Sequence, residues 1–326
     1  MPLSKISDSH RQLAFTILIC LMSLKFATET IGSLAQATPN RNIPDWQKAA
    51  GTNQEFDVAS IHLAKPGPFM TPSFELGIED TPVLPGGRFF ASFALEDYIE
   101  FAYKIMPTPE QQRGLHAALP RWAQDEYFVI RAQASGDPNK DQMRLMMQSL
   151  LAERFRLRIH FETRIEPVLN LVLIHPGKPG YRIQPHSKGF PCEAQWVLPP
   201  DPSSPALPPG GFAPNCGSFD GIAGPNRTFL AGGRNVTLEQ LAAELPNMED
   251  LGRPVVNRTG LDGRFDFTLQ WVPERNRRIQ DTDIQPDVSG PTLAGALAEQ
   301  LGMKLQPGRD SVQTLVIDHV EPPTVN

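Results

Sequence analysis

The stretch RFDFTLQW, residues 264–271, constrains the fold more than any other part of the chain. Phe265, Phe267, Leu269 and Trp271 alternate with Arg264, Asp266, Thr268 and Gln270. Successive side chains of a strand point to opposite faces, so this is a strand with one apolar face. A slip of one residue would turn two phenylalanines and a tryptophan to water, so the segment demands a fixed register against a core. PVVNRT (254–259) precedes it as a short strand, and Gly260, Asp262 and Gly263 supply turn chemistry between the two. The whole reads as a β-hairpin.

A second stretch, residues 141–164, changes period along its length. Met143, Met146, Met147, Leu150, Leu151 and Phe155 mark one face of a helix, for which Asp137 and Pro138 are the expected cap and first position. The methionine stripe reads as core. Phe155, Leu157, Ile159 and Phe161 then alternate with Arg156, Arg158, His160 and Glu162, and Arg164 continues the polar row. Pro167 is placed at a turn, after which VLNLVLIH (168–175) returns as a nearly continuous apolar strand.

Further strands are expected at 55–64, at 126–134 and at the start of 86–105, which runs on into a helix. Thr237 caps a helix carrying Leu238, Leu241 and Leu245. Residues 291–302 form another helix, followed by a pair of strands, MKLQP and SVQTLVIDHV. The fold class is α+β, with repeated helix-strand units packed on mainly antiparallel sheet, arranged as two similar halves.

The N-terminus has the pattern of an export signal. Lys5 and Arg11 precede the apolar run 13–24, and AQA (35–37) is a small-x-small cleavage site. The run is short of the roughly 20 residues a comfortable span needs, and an uncleaved anchor is the alternative. Ile19 before Cys20 does not suit a lipoprotein site. The expected organisation is a signal peptide (1–37), a linker (38–55), an N-terminal α+β half (56–190), a proline-rich loop (191–225) and a C-terminal α+β half (226–326). Such a chain is periplasmic or extracellular, with no membrane span after cleavage. Removing 1–37 takes away three basic and two acidic side chains and moves the net charge from −6 to −7. That balance argues against a nucleic-acid partner.

After cleavage only Cys192 and Cys216 remain, with no CxxC or zinc spacing. In an oxidising compartment they read as one disulfide closing the proline-rich loop. A catalytic thiol at Cys216 is the competing reading. No HExxH, GxSxG, Walker or dinucleotide motif occurs, so neither a catalytic residue nor a cofactor or metal is assigned. The polar row Arg156, Arg158, His160, Glu162 and Arg164 is the best binding candidate, for an anionic polysaccharide or an acidic envelope protein. The bland alternative is a solvated face that protects an edge strand. His160 and Glu162 could share a metal, but two ligands do not make a site. DTD (281–283) lies in a polar loop, and Asp318 and His319 fall on opposite strand faces. A hydrolase would need His160 or His175 beside a carboxylate, and an inert spacer or sensor ectodomain is a third reading. The sequence does not set the oligomeric state.

FDVASI (56–61), GGRF leading into LEDYIEFAY (86–103), residues 141–164 and 252–271, GPTLAGALAEQLGMKL (290–305) and VIDHVEPPTVN (316–326) together resemble a soil-associated family of exported bacterial proteins of unknown function. The chain departs from the family pattern at Asn257, where an acidic residue is common, and at His62, where a basic one is. The resemblance implies no established activity. Its helix-strand units are similar to the short N-terminal domains of secretins and TonB-dependent receptors.

Overall fold

The period change after the methionine-rich helix is where the chain enters its longest strand pairing. The computed structural model describes residues 44–51, 54–65, 70–188, 192, 216–277 and 290–324. The expected signal segment, residues 38–43 of the linker, the interior of the proline-rich loop and DTD (281–283) lie outside the described residues.

The first sheet holds β1 (Val58–Leu63), β2 (Arg88–Ala94) and β3 (Tyr127–Gln133), with β3 central and both neighbours antiparallel. Helices α1 (Asp45–Ala50), α2 (Leu95–Tyr103), α3 (Pro109–Ala118), α4 (Arg121–Gln124) and α5 (Lys140–Arg154) belong to this part of the chain. α1 lies within the expected linker. α3 and α4 were not expected, although Thr108 caps α3 by accepting the Gln111 N–H and Pro109 opens it. Asn139, not Asp137, caps α5. Asp137 instead accepts the Gly86 N–H at 2.6 Å. One core forms here from Phe89, Tyr98, Phe101, Phe128, Met143, Met147 and Phe155, all at most 2% exposed. The methionine stripe is core.

β4 runs unbroken from Arg158 to Leu173, and β10 from Met303 to His319. They pair antiparallel from Leu173↔Met303 to Arg158↔His319, with a bulge between Ile317 and His319. Pro167 is therefore no turn, and MKLQP and SVQTLVIDHV are one strand. Proline is tolerated in a sheet where its missing N–H would face no partner. Pro167 lies outside the short pairing of β4 with residues 255–257, and Pro307 lies on an edge strand.

β5 (Ile183–Pro185), β6 (Ser218–Ala223), β7 (Phe229–Val236), β8 (Val255–Asn257) and β9 (Phe265–Trp271) follow, with α6 (Leu238–Met248) and α7 (Glu274–Arg277). α8 (Leu293–Ala296) continues into a π turn at Leu297–Leu301, and Gly302 ends it at φ 66°. The sheet order is β5-β9-β7-β6. Phe265, Phe267, Leu269 and Trp271 face the second core, as their alternation requires. The hairpin, however, is not formed. β8 pairs in parallel with β4, whereas β9 pairs with β5 and β7 in another sheet. Alternation fixes which face is buried but not the partner strand, and here both faces are covered: Asp266 is 4% and Thr268 5% exposed.

The β4–β10 ribbon joins the two cores. Ile159, Leu315 and Ile317 pack on the first, while Leu171, Leu173 and Met303 belong to the second. Between them Ile165 is left 58% exposed.

A second fastening lies in the loop before β2. Asp80 receives Lys104, just past α2, at 3.0 Å and Arg264, just before β9, at 2.6 Å. Arg144, fully buried on α5, donates to the carbonyls of Gly77 (2.9 Å) and Glu79 (3.0 Å) and pairs with Asp141. Truncating one partner of a buried ionic network leaves the others uncompensated, at a cost of about 3–5 kcal/mol. Arg144→Ala is expected to lower stability by about that much in urea unfolding, whereas removing an exposed partner with Arg164→Ala should cost at most about 1 kcal/mol.

Candidate functional site

The outward face of the first sheet presents two cations, Arg88 and Arg131, beside an open groove. Phe128, Ile130 and Ala132 turn to the core from β3, which sends Tyr127, Arg131 and Gln133 outward. The register carries that division across the neighbours. Ser60, Arg131 and Phe90 form one row, and Val58, Gln133 and Arg88 the next. These side chains line a shallow groove of about 500 Å³. The Arg131 guanidinium lies 4.9 Å from the centroid of the Phe90 ring, within cation–π range. Among the described residues neither Arg88 nor Arg131 forms an ion pair.

The polar row expected on the strand after α5 is built differently from its sequence pattern. Phe155 caps the helix, and Arg156 takes a left-handed backbone (φ 51°) ahead of the strand, so it does not share the row. Arg158 opens β4. His160 Nδ1 lies 2.9 Å from Asp318 Oδ1 across the ribbon, and its Nε2 lies 3.5 Å from Glu162 Oε1. Asp318 raises the His160 pKa above its ordinary value through that hydrogen bond. Arg164 pairs with Glu162 and holds its carboxyl below the usual range. The structure thus brings His160, Glu162 and Arg164 together but balances their charge. Asp318 was missed as their partner because the bulge after Ile317 shifts its register. His319 turns to Glu321 at 2.7 Å, beside a groove of about 340 Å³ that Arg156 and Arg158 also line. His175 makes a bridge to Lys178 through the backbone. Cys192 and Cys216 are disulfide-bonded, with Cα atoms 5.6 Å apart, a normal span for a bridge.

The buried network around Asp80 escaped the sequence reading altogether. Lys140 and Arg144 are one helical turn apart on α5, and both are buried, bonded to the 74–81 loop. Lys140 donates to Thr81 Oγ1 at 2.9 Å, and burial pulls its pKa down to about 8. Across the loop, α6 brings Gln240 to the Ile78 carbonyl. Burial, followed by repulsion from Glu79, pushes Glu244 up to about 7. On α2, burial lifts Glu100 to about 7 and Asp97 to about 6. The arrangement ties the 74–81 loop to α5 and α6.

Among the described residues no helix is long and apolar enough to cross a membrane. Fold and surface define an α+β protein with two cores sharing a ribbon. The model of the family described as protein of unknown function (DUF3738) matches residues 96–320, more than half of the chain, and the protein belongs to that family. No curated protein and no solved structure matches it.

Glu244 gives a pH test. Its folded pKa is raised above the unfolded value, so the native state binds the proton more tightly. That contribution is full below the ordinary carboxyl range and is lost as pH rises through about 7. Glu244→Gln should therefore be more stable than the parent at pH 8, on the order of 1–2 kcal/mol, and should lose that advantage by pH 4. Chemical denaturation at the two pH values checks this.

Proposed function

We propose that the chain is an exported, non-catalytic module that binds an anionic polysaccharide on the outward face of its first sheet. The observation that carries the reading is the pair Arg88 and Arg131, without ion-pair partners among the described residues, flanking Phe90 in an open groove. Two guanidiniums reach carboxylate or sulfate groups of neighbouring sugars, the ring offers a flat apolar surface, and Ser60 and Gln133 add hydrogen-bonding groups. A shallow, open groove suits a polymer that passes through. The ribbon row is the weaker surface because Asp318 and Glu162 neutralise it. The N-terminal signal pattern and the disulfide support export.

Polygalacturonate immobilised on a column is a direct probe. The wild-type chain should be retained at low salt and released as salt rises, since exposed charges are screened over about 10 Å at 0.1 M. Arg88→Glu and Arg131→Glu should each weaken retention roughly three- to tenfold, the scale of an exposed charge contact reversed. Arg164→Glu should leave retention unchanged. Equal retention of Arg131→Glu and wild type, or no retention of wild type at low salt, would overturn the assignment.

A further inference from the structure

The disulfide has a neighbour that a simple staple does not require. His186 follows β5, where its N–H donates to the Arg264 carbonyl at 2.8 Å. Its Nδ1 lies 2.7 Å from Asp266 Oδ1 on the second face of β9. The same carboxylate oxygen accepts the Asn235 N–H at 2.9 Å, and the Asp266 side chain is only 6% exposed. Buried and fixed by two contacts, Asp266 orients the ring and makes Nδ1 the donor. Nε2 then points to Cys192 Sγ, 3.4 Å away. The ligand atoms of His186, Cys192 and Cys216 all fall within 4.8 Å of one another, and none is fully buried. Orienting carboxylate, imidazole and sulfur stand in the order of a nucleophile with its base.

We propose that Cys192–Cys216 is a redox-active disulfide that exchanges with thiols, with His186 positioned by Asp266 to stabilise the Cys192 sulfur when the bond opens. A thiolate RS⁻ attacks Cys216 Sγ, because the better-stabilised sulfur is the better leaving group. The S–S bond breaks, its electron pair leaves on Cys192 Sγ, and the protonated His186 ring donates its Nε2–H to that sulfur. A mixed disulfide between R and Cys216 remains. A second thiolate attacks the R sulfur of that disulfide, releases Cys216 as thiolate and departs as RSSR. Two thiols are oxidised to one disulfide, and the protein takes up two electrons. In the reverse direction Nε2 accepts the Cys192 S–H proton and leaves a nucleophilic thiolate. Among the described residues the charged groups nearby include Arg264, whose guanidinium is tied to Asp80 and the Asn235 carbonyl, and Arg234, whose carbonyl accepts the Gly217 N–H next to Cys216.

The test equilibrates the full chain in glutathione redox buffers and counts free thiols by maleimide mass-tagging. His186→Ala should shift the equilibrium at least tenfold towards the disulfide, about 30 mV for a two-electron couple. In the reduced protein, iodoacetamide should alkylate wild-type Cys192 below pH 7, and the pH profile of His186→Ala should move upward. His186→Gln keeps a donor to Asp266 and serves if the alanine variant fails to fold. Asp266→Asn should give an intermediate shift. Identical redox equilibria and alkylation profiles for wild type, His186→Gln and Asp266→Asn would overturn the proposal and leave the bond an inert staple.

Discussion

The antiparallel pairing of β4 with β10 is the constraint on which the rest depends. Strands of this length are uncommon in globular proteins, where about five or six residues is typical. Here the two strands run past the end of one core and into the other. Ile159 and Ile317 are anchored in the first core while Leu173 and Met303 are anchored in the second. A one-residue slip would expose apolar side chains at both ends together, so each core fixes the register for the other. The exposed middle, around Ile165, needs no core of its own because both flanks hold it in place.

The charged loop before β2 adds a second link of a different kind. Asp80 bridges Lys104, just past α2, and Arg264, just before β9. Arg144 satisfies two loop carbonyls and lies 5.5 Å from the Phe101 ring centroid. Buried ions are costly to desolvate, so such a network is weak evidence for extra stability. What it supplies is position: these bonds tie the loop to α5, to Lys104 and to Arg264.

Much of the fold was legible because hydrophobic period reports burial directly. The strands at Val58, Arg88 and Tyr127, the methionine helix and the apolar face of β9 all follow from it. Strand partners were not legible. PVVN and RFDFTLQW are close in sequence and joined by good turn residues, yet they enter different sheets because β4 offers β8 an open edge. Pro167 looked like a turn because its ring excludes a donor, which an unpaired edge position does not need. The binding candidates show the same limit. Sequence placed Arg156 to Arg164 in one row, but it could not show that Asp318 crosses the ribbon to His160. His186 and Asp266 are eighty residues apart, and only the pairing of β5 with β9 brings them together.

If one ribbon makes the two cores a single cooperative unit, they must unfold together. The chain carries 4 tryptophans, of which Trp122 packs on the first core and Trp271 lies in the second. Two single-tryptophan variants, with Phe at the other positions, would report each core separately by fluorescence during urea unfolding. Coincident midpoints and slopes, after correction for each variant's stability by circular dichroism, are the predicted result. Two separated transitions, with one core melted while the other fluoresces as native, would contradict it.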